Sequence, residues 1–176
     1  MPKAYKRIIM NEDYFMFQAL LAAKEALVRG DVPVGAVLVR SKEILARSSN
    51  TKTIDPTAHA EMRAIRAAAE RIGSWNLRGC DLYVTLEPCP MCAGACINAR
   101  IRNVFFGAKD PRAGAAGSLY NLLCDIRLNH RCGVWGGVLE NHCAAVLREY
   151  FESRRRRKKF ESENLNRNED VLRYRL

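Results

Sequence analysis

Two short segments limit what this chain can fold into more than anything else in it: Ala58-His59-Ala60-Glu61 and Thr85-Leu86-Glu87-Pro88-Cys89-Pro90-Met91-Cys92. Cys89 and Cys92 are three positions apart, so two thiolates can reach one ion. The run Asp81–Leu86 reads as a strand and Met91–Ala99 as a helix, which puts the pair where a strand hands over to a helix start. Prolines at 88 and 90 suit that place, because the first helical amides have no intrahelical partner to lose. The free amides and the positive dipole end favour thiolate over thiol. His59 offers a third ligand. One His and two Cys around zinc leave a fourth position for water, the mark of a catalytic rather than a structural site. Between Glu61 and Pro88 lie 26 residues, enough for a helix, a loop and a strand. Both halves of the site can therefore sit on consecutive helix starts.

A lone C-x-x-C is a weak signal, and a structural zinc would need a fourth side chain. Cys96 lies at i+7 from Cys89 on the same helical face. Seven residues rise about 10.5 Å along a helix, against a zinc–sulfur bond of about 2.3 Å, so Cys96 is too far. His130 and His142 stay open on spacing alone. Glu61 is the candidate proton carrier: a carboxylate beside a metal-activated water can take a proton and return it to a leaving group. One conflict stands. Positions i and i+2 of a regular helix point about 200° apart, so His59 and Glu61 share a pocket only at a helix's first turn.

In order along the chain, Glu12–Arg29 reads as an amphipathic helix stopped by Gly30. Val34–Val39 and Ile44–Ser48 read as a hairpin. A helix from about His59 to Arg71, strand Asp81–Leu86, the Cys helix and strand Asn103–Phe106 follow. A short helix near Leu119–Cys124, a strand around Cys132–Val134 or on to Val138, and a long helix from about Asn141 complete the pattern. A hairpin followed by helix–strand units predicts an α/β layered domain with a mixed sheet. The domain is expected to span residues 1–160, with a polar, mobile tail over 161–176.

The chain has 176 residues and a 48% hydrophobic share, enough for one domain with a real core. No apolar run approaches the roughly 18 residues of a membrane span. Residues 1–10 are followed at once by Glu12 and Asp13, unlike a secretory signal, and a cytoplasmic location is the expectation. Seven cysteines, two with metal spacing, argue against a disulfide framework. The net charge is +10. Residues 151–176 hold nine Lys/Arg against five Asp/Glu, which leaves +6 on the rest of the chain. A polyanionic partner fits that balance. The run Arg154-Arg155-Arg156-Arg157-Lys158-Lys159 on the last helix is the candidate contact to a nucleic-acid backbone.

The pattern H-x-E followed by P-C-x-x-C marks the zinc deaminases of the cytidine deaminase-like superfamily. Five segments carry a closer resemblance, the last of them together with Asn129-His130-Arg131 narrowing it: Pro33–Val37, Asp55–Glu61, Leu82–Cys89, Met91–Ala95 and Gly114-Ala115-Ala116-Gly117-Ser118-Leu119. With Asn129-His130-Arg131 they resemble the bacterial tRNA-specific adenosine deaminases from about Tyr14 to Arg157. The resemblance implies a three-layer α/β/α sandwich on a five-stranded sheet, with one Zn²⁺ per subunit. It implies hydrolytic deamination of adenosine to inosine at the wobble position of a tRNA anticodon, by a homodimer with the anticodon stem-loop across both subunits. By the same resemblance Asn50 matches an asparagine that hydrogen-bonds the purine. Asp110 matches an acidic residue near the bound nucleotides, and Phe151 an aromatic on the last helix. The chain departs from that family in a shorter loop between Asn50 and Asp55 and in the segment after Lys159. Two rivals remain at this stage: a deaminase of free bases or nucleosides, and a catalytically silent RNA-binding module with structural zinc.

Overall fold

A computed structural model of the chain describes the backbone over residues 3–53 and 55–173 and side chains over 12–53 and 55–162. Helix α1 (Lys3–Val28) leads into strands β1 (Gly35–Arg40) and β2 (Glu43–Ser49). Then come α2 (Ala60–Ile72), β3 (Cys80–Leu86), α3 (Pro90–Asn98) and β4 (Asn103–Ala108). Strand β5 (Gly133–Gly136) and helix α4 (Glu140–Arg173) close the chain. The five strands form one sheet in the order β2-β1-β3-β4-β5. β1 is antiparallel to both its neighbours, whereas β3, β4 and β5 are parallel. This is the predicted mixed α/β sheet with an N-terminal hairpin. Ser41 and Lys42 make the hairpin turn with positive φ angles of 49° and 69°, the twist a two-residue connection needs.

Side chains two apart along a strand share a face, so the pairing register sorts the layers. Val37, Tyr83, Phe105 and Trp135 are cross-strand partners on one face. Phe15 of α1 packs on Tyr83, and the rings continue in a row to Trp135. Gly35 and Gly107 lie on this same face. A Cβ at Gly35 would come within 2.0 Å of the Ala19 carbonyl, and one at Gly107 within 2.3 Å of Cys143 Sγ. Those two glycines let α1 and α4 seat directly on the sheet. α2 and α3 touch each other and form the remaining layer. The interior between layers is apolar: Met16, Leu38, Leu82, Val84 and Val104 are fully buried.

Three boundaries differ from the sequence reading. The backbone of α1 is helical from Lys3, before the expected start at Glu12. The segment Leu119–Cys124 is not a helix. Its amides bond across the loop instead, Leu119 and Tyr120 to the Gly114 carbonyl and Leu122 to that of Ala115. Only Leu123 of its large apolar residues is fully buried, so a helical face there has no layer to pack on. Helix α4 carries its backbone past residue 160 to Arg173.

Candidate metal centre

α2 and α3 both begin at the carboxyl side of the sheet, and each start places a ligand. His59 is the residue just before α2, with an extended backbone (φ −68°, ψ 152°), and its side chain makes no capping bond. Cys89 holds the same position before α3 (φ −73°, ψ 171°), with Pro90 as the first helical residue. This removes the i, i+2 conflict. His59 lies outside the helix, so the 200° rule does not govern it, and Glu61 in the first turn faces the same space.

His59 Nδ1 lies 3.7 Å from Cys89 Sγ and 3.6 Å from Cys92 Sγ. Bonds of about 2.0–2.1 Å to nitrogen and 2.3 Å to sulfur at a tetrahedral angle put those atoms about 3.6 Å apart. The three ligand atoms thus fit a zinc ion without rearrangement, and all lie within 4.8 Å of one another. Among the described residues this is the one such group, and no fourth side chain joins it. Cys96 is buried in the core outside it. His130 bonds through Nε2 to the Ile101 carbonyl at 2.7 Å, and His142 is exposed on α4.

Charge among the three side chains and Glu61 is divided unevenly. The Cys89 thiol is held down to about 4, first by its hydrogen bond with Cys92 and then by the one with His59. Cys92 is pushed up in turn, because the proton of the pair resides there and the site is buried. His59 is raised, mainly through its bond to Cys89. Glu61 is 3% exposed, and its Oε2 has no hydrogen-bond partner among the described residues. Burial pushes its carboxyl up to about 6, into the range where a group can both accept and return a proton at neutral pH. An orphaned buried carboxylate oxygen is costly unless something outside the chain meets it.

Asn50 is buried at the end of β2. Its Oδ1 accepts the Ala60 amide at 2.9 Å, supplying the helix-start bond that His59 does not. Arg29 donates to its carbonyl at 3.2 Å, and its own amide donates to the Val34 carbonyl at 3.0 Å. With the acceptor so committed, its NH₂ is the donor left over, without a protein partner among the described residues.

Asp110, Phe151 and Arg155 lie together, with Lys109, Arg112 and Arg148, around a groove of about 400 Å³ between the 109–118 loop and α4. Asp110 Oδ1 accepts the amides of Arg112 at 2.9 Å and Ala113 at 3.2 Å, so it shapes its own turn. A second hollow of about 510 Å³ runs along α4 between Phe151, Arg154, Arg155, Arg157 and Lys158. The basic run is not uniform. Arg156 pairs with Glu152 at 3.5 Å and Arg157 with Glu161 at 3.2 Å, whereas Arg154 and Arg155 have no acidic partner among the described residues.

One residue of the site's surroundings escapes sequence reasoning. Glu87 is 2% exposed and accepts four hydrogen bonds from the 109–118 loop. Burial works to raise its carboxyl, and the bonds from Ser118, Asp110 and Ala116 outweigh this and hold it below the usual range. The only sequence signal is its place directly before Pro88-Cys89.

Fold and site together define a zinc-dependent deaminase of the cytidine deaminase-like class. Residues 10–108 match the family model of the cytidine and deoxycytidylate deaminase zinc-binding region. The chain is 46% identical over 158 residues to a tRNA-specific adenosine deaminase of Bacillus subtilis, covering 89% of this chain and 98% of that one. A structure solved in work on A-to-I editing by tRNA:A34 deaminases is similar at TM-score 0.73 and 45% identity, over 76% of this chain and 99% of that one. Guanine deaminase from Bacillus subtilis is similar at TM-score 0.54 and 42% identity, over 59% and 68%. The chain belongs to the tRNA-specific adenosine deaminase family.

Proposed function

We propose that this chain deaminates adenosine to inosine at the wobble position of a tRNA anticodon. The observation that carries the chemistry is the buried Glu61 carboxylate, whose Oε2 has no partner among the described residues, beside His59, Cys89 and Cys92. His59, Cys89 and Cys92 would hold a zinc ion, which would lower the pKa of a bound water toward neutrality. Glu61 carries one proton of the attacking water to the ring nitrogen as the oxygen adds at carbon 6 of adenine, then carries the second, from the new hydroxyl, to the 6-amino group, which leaves as ammonia while the ring nitrogen keeps its proton. The free NH₂ of Asn50 donates to the purine, and its orientation is held by Ala60 and Arg29.

The same reading extends to the substrate side. Asp110 and Phe151 contact nucleotides flanking the reacting base, and Arg154 and Arg155 lie along the phosphates, with Arg156 and Arg157 on the flank. The grouping of these residues around two adjoining hollows and the net charge of +10 support this. The protein works as a cytoplasmic homodimer, with residues 1–160 as the catalytic domain and 161–176 as an appended tail.

The deciding experiment is incubation of the zinc-loaded protein with total tRNA, followed by position-resolved detection of inosine. Inosine confined to anticodon position 34 is the expected result. Faster turnover of free guanine or cytidine than of anticodon RNA would move the protein to the free-base deaminases. Bound tRNA with no turnover would leave only an RNA-binding module.

A further inference from the structure

We propose that Glu87 is a positioning residue for RNA. Its carboxylate latches the 109–118 loop to the end of β3 and so holds the substrate groove in shape, apart from the chemistry at the metal. This rests on the proposed tRNA reading.

The latch is dense and directional. Oε2 accepts the Asp110 amide at 3.0 Å and the Ser118 hydroxyl. Oε1 accepts the amides of Ala116 and Ser118, each at 3.0 Å. Two further backbone bonds of 2.8 Å frame it, Glu87 N–H to the Ala108 carbonyl and Ala115 N–H to the Pro88 carbonyl. A Cβ at Gly114 would come within 2.4 Å of Glu87 Cδ, so the loop closes around the carboxylate only because that position is glycine. Among the described residues Glu87 has no salt bridge. Its charge is met wholly by loop donors, an arrangement that needs four acceptor sites and no donor of its own.

What the latch holds is the recognition side. The loop it gathers contributes Lys109, Asp110 and Arg112 to the groove shared with Phe151 and Arg155. The ligands and Glu61 stand on the starts of α2 and α3, and next to Cys89 the loop is joined by the backbone bond from Ala115 to Pro88, which a change in the Glu87 side chain leaves in place. Loosening the loop therefore disturbs binding of the flanking nucleotides while leaving the reacting centre in place.

The test uses the zinc-loaded Glu87→Gln variant and an anticodon stem-loop RNA. The amide NH₂ of glutamine would set donors against donors and open the loop. The expected result is zinc retained at one per chain, kcat within about threefold of wild type, and KM raised about tenfold or more, the signature of lost binding rather than lost chemistry. Lower kcat at unchanged KM, loss of zinc, or no change in either constant would each overturn the proposal. Should Glu87→Gln fail to fold, Ser118→Ala removes a single donor and is expected to raise KM by about threefold with kcat kept; an unchanged KM would overturn it. Amide hydrogen exchange in the RNA-free protein separates this idea from the substrate reading. Faster exchange at Ala116 and Ser118 in the variant supports the latch even if no inosine is found, and unchanged exchange refutes it even if inosine is found.

Discussion

The metal centre and the α4 groove lie on the same molecule but are built in opposite ways. The centre draws its ligands from two helix starts, and the backbone just before each helix aims the side chain. Its distances already match a tetrahedral ion. The groove takes residues from four distant stretches, at Val32, at Leu86 of β3, at 109–112 and at 147–155 of α4. One of those stretches is a loop whose amides and hydroxyl gather on one carboxylate, Glu87. Chemistry that tolerates little displacement rests on rigid elements. The proposed recognition of a polymer, which tolerates more, would rest on a loop and the exposed face of one long helix.

The sharpest way to break that division is Glu61→Ala. We expect deamination to fall by about 10²–10⁴-fold or beyond detection, with zinc content and RNA affinity unchanged. Single-turnover rates, metal analysis and an RNA-binding isotherm measure the three quantities. A parallel fall in RNA affinity would mean the two regions are not separable. Metal removal comes next. In stripped protein at pH 7 the Cys89 thiol, held down to about 4, is ionised. Iodoacetamide should therefore label Cys89 first, and its rate should drop only as pH falls toward 4. Cys132 and Cys143, pushed up to about 12 by burial, should stay unlabelled, and added zinc should protect Cys89. Peptide mass spectrometry reads the order; early labelling of Cys132 or Cys143 would contradict the burial assigned to them.

The smallest effect belongs to the groove. Replacing Arg154 and Arg155 with Gln should weaken tRNA binding and reduce the salt slope by about 0.7 per lost phosphate contact on single-stranded RNA. Replacing Arg156 and Arg157 should do less, because Glu152 and Glu161 already partner them. Equal slopes for the two double variants would erase the distinction drawn between the free and the paired arginines.

Much of this architecture was legible because its signals are local. The alternation of strands and helices placed all five strands in their correct order along the chain, with ends shifted by a residue or two. The prediction failed where bonding is non-local. Leu119–Cys124 carries enough apolar residues to suggest a helix, yet its amides reach Gly114 and Ala115 and its neighbour Ser118 reaches Glu87. Family resemblance singles out Asn50 as the residue proposed to meet the purine. Its bond to the Ala60 amide, ten residues on, was not legible. The His59–Glu61 pair looked self-contradictory under helical geometry until the structure put His59 one residue outside the helix.

By itself the sequence determined the metal, its three ligands and the neighbouring carboxylate. Residue chemistry and short spacings settle those matters, and each helix start aims its own ligand, although Asn50 caps one of them. Only the tertiary structure decided which arginines are free, what Glu87 holds, and that Asp110 and Phe151 border one groove. Each of those depends on which distant segments meet, and that is set by layer packing and by where loop amides find acceptors, neither of which leaves a periodic trace in the chain.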